Sequence, residues 1–113
     1  MNDRDRDWLE RAAASARVAL DHVRTGGQHW RDDIKTIDAA AKRVEEVSEN
    51  LKRVTPEQQV AMPGILWRQA KGMREMMAHD YDKLDLDILD DVISTDLPKL
   101  IAEIEAALLE AGS

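Results

Sequence analysis

Cysteine and phenylalanine are both absent from the 113 residues, and only five glycines and three prolines interrupt them. Without cysteine there is no disulfide, no thiolate nucleophile and no Cys-based zinc site. No basic start leads into an apolar run, and no stretch approaches the ~20 apolar residues that a membrane span requires. A soluble, cytoplasmic chain that avoids the membrane is therefore expected. Period-two alternation is missing as well, which argues against a sheet. Positive charge is in deficit: 16 Lys and Arg against 23 Asp and Glu leave a net −7. That balance opposes broad wrapping around nucleic acid, which needs many phosphate contacts. The deficit is uneven, however. Between Leu66 and His79, Arg68, Lys71 and Arg74 face only Glu75. A basic pocket on an acidic body can admit one or two phosphates while rejecting long duplexes.

What remains is helical: Ala, Leu, Glu, Asp, Lys and Arg dominate. At 12.8 kDa one domain covering residues 1–113 is expected, burying roughly two-thirds of the unfolded surface. The first helix runs from about Asp5 to Arg24, with Leu9, Ala12, Ala16, Ala19, Leu20 and Val23 on one face, and ends at Thr25, Gly26 and Gly27. A second helix starts near Trp30 or Arg31 and reaches Lys52 or Arg53. Ile34, Ile37, Ala41, Val44, Val47, Ser48, Leu51 and Val54 recur at three- and four-residue steps as its inner stripe. Lys35, Lys42, Arg43, Glu45, Glu46 and Lys52 lie mostly on the other side. Thr55 caps a short turn with Pro56 at its first position, and Pro63 and Gly64 break the pattern again. A third helix covers about Ile65 to His79, a short fourth covers Asp87 to Ser94, and a fifth opens near Pro98 and ends near Glu110. Short connections between amphipathic helices favour an antiparallel all-α bundle of about five helices.

The chemistry gathers in one stretch, Arg74 to Tyr81. Arginine can brace a developing phosphate charge, and histidine can move a proton near neutral pH. Together they suffice for metal-free RNA cleavage in which the ribose 2′-hydroxyl attacks its neighbouring phosphate. Arg74 and Tyr81 are seven residues apart, about 700° around a helix, and so share a face. Arg74 and His79 are five apart, about 140° out of phase. Either the helix loosens around Ala78 to Asp80, or the two residues meet across a two-fold axis between paired subunits. The competing account is structural. Arg74 and His79 would then complement a helix C-terminus, and Tyr81 would pack its ring.

Other candidates are weaker. His22 and His29, with Asp21, Asp32 and Asp33, match no common zinc spacing, and no metal site or cofactor is expected. The acids from Asp85 to Asp91 lack the glycine and the final glutamate of a calcium loop and suit a helix N-terminus better. Trp67 and Trp30 belong to core or interface, with Trp8 near the surface. Met73, Met76 and Met77 make an adaptable apolar surface.

Arg74-x4-His79-x-Tyr81 resembles the R-x4-6-H-x-Y signature of HepT-like toxin ribonucleases of the HEPN superfamily. The likeness extends to Asp3-Arg4-Asp5 through Leu9, Trp30-x-x-Asp33-x4-Asp38-Ala39 and Val44-x3-Ser48-Glu49. It continues through Pro63 to Arg68, Gly72-Met73-Arg74 and Asp96-Leu97-Pro98-x-Leu100. The resemblance implies a HEPN-type helical bundle, a homodimer with its site at the subunit cleft, and a metal-independent endoribonuclease with Arg74 and His79 as catalytic residues. It also implies a type VII toxin–antitoxin pair, whose minimal nucleotidyltransferase antitoxin adenylylates the motif tyrosine, here Tyr81. Glu49 falls where the family carries the glutamate of a Gly-Glu pair, with Ser48 in place of the glycine. Glu49, Arg68 and Lys71 are the candidates for lining the cleft. The alternatives are a noncatalytic helical partner of a nucleotidyltransferase and a purely structural dimeric bundle.

Overall fold

The computed structural model describes residues 1–80 and 83–112, with the side chains of 78–80 and 83 excepted. Helix α1 spans Asp3–Gly26 and opens with the Asn2 side chain accepting from the Asp5 amide. A 3-10 turn, Gly27–Asp32, leads to α2, Ile34–Leu51. The second helix therefore starts later than its apolar pattern suggests. Asp33 supplies the reason: its carboxylate accepts from the Lys35 amide and the Thr36 hydroxyl, which fixes the cap there. These bonds hold the Asp33 carboxyl below its usual range, the Thr36 hydroxyl being the larger cause. Gly27 carries the positive φ of 71° that the turn requires and that glycine adopts without strain.

Alanine makes the seam between α1 and α2. Ala12, Ala16 and Ala19 are fully buried against Ala40, Val44, Val47 and Leu51, and small side chains let two helices pack over their whole length. Helix α7, Leu97–Ala111, covers the other side of α1 with Leu97, Leu100 and Ile104. Arg17 and Glu105 join the two helices at the surface. Trp30 is buried and Trp67 half-buried, with the Trp67 indole N–H donating to the Met62 carbonyl at 3.0 Å. Trp8 lies partly exposed between two guanidiniums, with Arg11 at 5.4 Å and Arg53 at 4.9 Å from its ring centroid.

The region expected as one helix from Ile65 to His79 is broken. Helix α3 is Pro56–Ala61, with Thr55 as its cap. Helix α4 is only Trp67–Lys71, Gly72 interrupts it, and α5 covers Met73–Met77. The Gly72 amide bonds three residues back, to Gln69, rather than four, and glycine is the ordinary residue least suited to a helix interior apart from proline. After Met77 the backbone is extended. Strand β1, Ala78–Asp80, pairs antiparallel with β2, Lys83–Leu84.

The fourth and fifth expected helices are continuous. Helix α6, Leu86–Asp91, passes through a π turn at Val92–Asp96 directly into α7. Pro98 does sit in the first turn of α7, but no break precedes it. The Leu97 amide reaches five residues back to the Val92 carbonyl. That wider turn accommodates a proline that has no N–H to offer. The result is an all-α bundle, in which the described residues show extended pairing only beside the motif. No helix among those residues is long and apolar enough to cross a membrane.

Asp5 is the most deeply buried acidic residue of the described chain, at 2 % exposure. Its two oxygens accept from the Thr55 amide at 2.9 Å and the Thr55 hydroxyl at 2.7 Å, and Thr55 in turn caps α3 through Gln58. Asp5→Ala should lower stability by about 2–3 kcal/mol, since both donors lose a charged acceptor. A urea midpoint that moves at unchanged slope checks this, and a shift below about 1 kcal/mol would mean that α3 is capped independently of α1.

Candidate active site

The site is built around α5, a helix of little more than one turn. Met73 and Met77 point into the core, which turns Arg74 outward along one flank and Met76 along the other. Arg74 is 59 % exposed, and its Nη1 lies 3.6 Å from Oε1 of Glu45 on α2. Ser48, one turn further on α2, is fully buried and donates to the Ala70 carbonyl at 3.0 Å. This bond fastens α2 to α4 just before the motif. It also accounts for a hydroxyl where a glycine was expected.

Helix α5 runs on from Arg74 only as far as Met77, so the 140° phase difference of an unbroken helix does not apply. His79 lies on the extended backbone of β1. Its side chain, and the whole of Tyr81, fall outside the described residues. The two ends of this segment are held together. The Asp85 amide donates to the Met77 carbonyl at 2.9 Å, satisfying one of the terminal carbonyls that any helix leaves open. The Asp85 side chain then caps α6 through the amides of Asp87 and Ile88. So the acidic run does seat a helix N-terminus.

Helix α6 is pinned from outside by Arg31. Its guanidinium reaches Asp87 at 2.7 Å and Asp90 at 2.6 Å while lying 5.7 Å from the Trp30 ring centroid. Hydrogen bonds to the two carboxylates raise the Arg31 pKa, and the Arg31 bond, with a smaller contribution from Ser94, lowers that of Asp90.

The remaining candidates are scattered about this centre. Glu49 is exposed, with its carboxylate 3.2 Å from Lys52. Arg68 is exposed, and Lys71 donates to Gln59 at 3.2 Å. His29 is exposed beside Asp32, at 3.8 Å. A cleft of about 170 Å³ opens between the 64–73 segment and α7, lined by Ile65, Met73, Asp96, Lys99 and Glu103 among others. Burial, and then the nearby Asp91, raise the Asp96 pKa there. Arg74 does not line this cleft. Among the described residues, the carboxylate paired with Arg74 is instead Glu45, which the sequence pattern assigns to the polar side of α2. Only the packing of α5 on α2 brings the pair together.

Residues 9–107 match the model of the ribonuclease HepT-like family. The chain belongs to that family. No solved structure matches it. Within this HepT-like chain, Arg74 sits in the single turn of α5, on a surface that α2 and α4 support from behind. Ser48→Ala should destabilise the fold by about 1–3 kcal/mol, because the Ala70 carbonyl loses its side-chain donor in a buried place. Chemical denaturation measures this, and a neutral effect would show that the bond does not brace the site.

Proposed function

We propose that this HepT-like protein is the toxin of a type VII toxin–antitoxin pair and cleaves RNA without a metal ion, through attack of the 2′-hydroxyl on the adjacent phosphate. The observation that carries the proposal is the end of α5 at Met77, which leaves Arg74 on an exposed helix terminus immediately before the strand that bears His79. Arg74 would brace the crowded phosphorane, where preorganised charge contributes most to the rate. His79 would carry a proton, a role that histidine as a residue type suits near neutral pH. Arg68 and Lys71 lie in the same basic stretch, and with Glu49 would line the approach. We place the working site in the cleft of a homodimer, with the chain acting as a single domain in the cytoplasm.

Neutralisation would come from a minimal nucleotidyltransferase that transfers AMP to Tyr81. The added bulk and negative charge would occupy the space the substrate phosphate needs. A noncatalytic partner of such an enzyme is the second reading. It is favoured by the apolar surface of Leu66, 65 % exposed, and Met76, 37 % exposed, on an otherwise acidic molecule.

Purified protein should cut RNA in EDTA and leave 2′,3′-cyclic phosphate ends. Arg74→Ala and His79→Ala should each reduce the rate by about 10²–10⁴. Cleavage surviving both substitutions would refute the assignment. With the nucleotidyltransferase and ATP, mass spectrometry should find one AMP on the wild type and none on Tyr81→Phe. Modification at another residue, or none, would remove the proposed mode of neutralisation.

A further inference from the structure

Cyclising cleavage of RNA moves two protons. One leaves the attacking 2′-hydroxyl, and one must reach the departing 5′-oxygen. A single imidazole cannot perform both transfers in one concerted step. The motif of each chain contains one histidine, so the second carrier is either the partner subunit's His79 in the proposed dimer cleft or another side chain beside Arg74.

Glu45 meets the geometric conditions for that role. Its carboxylate oxygen stands 3.6 Å from the Arg74 guanidinium. Any phosphate that Arg74 braces through its non-bridging oxygens therefore has the Glu45 carboxylate beside it. The pair is loosely made. Its separation exceeds the 2.7–2.9 Å of a strong charged hydrogen bond, and the two side chains are 59 % and 32 % exposed. An exposed ion pair of this kind holds its members weakly, so a phosphate can take over the guanidinium and leave the carboxylate free to accept a proton. The neighbouring acids have other engagements: Glu46 accepts from Ser15 and Arg43, and Glu49 faces Lys52.

We propose that Glu45 is the general base of this site and that His79 is the general acid. This rests on the ribonuclease assignment of Arg74 and His79. The O2′ proton passes to the Glu45 carboxylate as the O2′–P bond forms. The P–O5′ bond breaks, and O5′ takes its proton from the His79 imidazolium. The products are a 2′,3′-cyclic phosphate and a 5′-hydroxyl. Glu45 then releases its proton to water, and His79 takes one up.

A dinucleotide with sulfur in place of the bridging 5′-oxygen tests the division of labour. Sulfur departs without being protonated, so this substrate needs the base but not the acid. On ordinary RNA, Glu45→Gln should lower kcat by about 10²–10⁴ with little change in KM, and Glu45→Asp should recover part of the loss. Glu46→Gln, on the same helix, should retain wild-type kinetics, and circular dichroism checks that all variants are folded. On the thio substrate, His79→Ala should return close to the wild-type rate while Glu45→Gln stays slow. If Glu45→Gln cuts ordinary RNA at the wild-type rate, Glu45 is not the base. Glu45 is equally ruled out as the base if the thio substrate rescues Glu45→Gln, or if it fails to rescue His79→Ala, which would give His79 the base role. In those cases the nuclease assignment of Arg74 and His79 stands. If the wild type cuts neither substrate, it is the nuclease assignment that fails.

Discussion

One backbone hydrogen bond, from the Asp85 amide to the Met77 carbonyl, marks where the helix that carries Arg74 ends. It ends α5 and turns the chain into an extended segment before His79 is reached. On a continuous helix Arg74 and His79 would diverge by about 140° and serve different surfaces. With the helix stopped at Met77, that angular restriction is gone. The bond is itself held in place from the far side. Asp85 caps α6, and Arg31 fastens α6 through Asp87 and Asp90. The end of the Arg74 helix is thereby referred back to the turn between α1 and α2, far away in sequence.

The rest of the molecule supplies a support of fixed shape for this terminus. The alanine seam joins α1 to α2 over their length, and Ser48 fastens α2 to α4. Asp5 fastens α3 to α1 through Thr55. These buried polar groups are each paired, and pairing is what makes a buried carboxylate or hydroxyl tolerable in an apolar interior. A short helix such as α5 has little stability of its own. It persists because Met73 and Met77 anchor it to the core on the side away from Arg74.

Much of this was legible in the residues. The stripe of α1, the Thr55 cap with Pro56, the acids seating α6 and the basic stretch around Arg74 all follow from local pattern and known cap chemistry. The α2 stripe holds from Ile37 onward, but Ile34, expected inside, is exposed because it is the first residue of the helix, beyond the packed seam. The misplaced boundaries have physical reasons as well. Apolar periodicity continues through Gly72 and through Leu97, but it is blind to backbone hydrogen bonding. It therefore shows neither the three-residue bond at Gly72 nor the π turn that keeps α6 and α7 continuous before Pro98. Glu45 escaped for a different reason. Its place on the polar side of α2 looks like ordinary solvation until α5 packs across that edge, and such a contact depends on tertiary arrangement alone. Glu49, one turn away on nearly the same face, attracts attention through family resemblance, yet its charge is engaged by Lys52.

The loose ion pair also bears on how an acidic chain can bind RNA at all. At a net charge of −7, long-range attraction to a polyanion is unfavourable, and screening confines charge effects to roughly 8–10 Å in physiological salt. Only local cations can then hold a phosphate, and each must be free to do so. A buried, tightly bonded Arg74 would resist exchange, because breaking such a pair leaves an uncompensated charge in a low-dielectric environment. The exposed pair with Glu45 carries little of that penalty. In the proposed site it would keep the guanidinium near α2 when no substrate is bound and yield it to an arriving phosphate. A carboxylate in this position repels the bound phosphate and so weakens binding. On the proposed mechanism, its presence beside Arg74 is therefore accounted for by proton transfer and not by affinity.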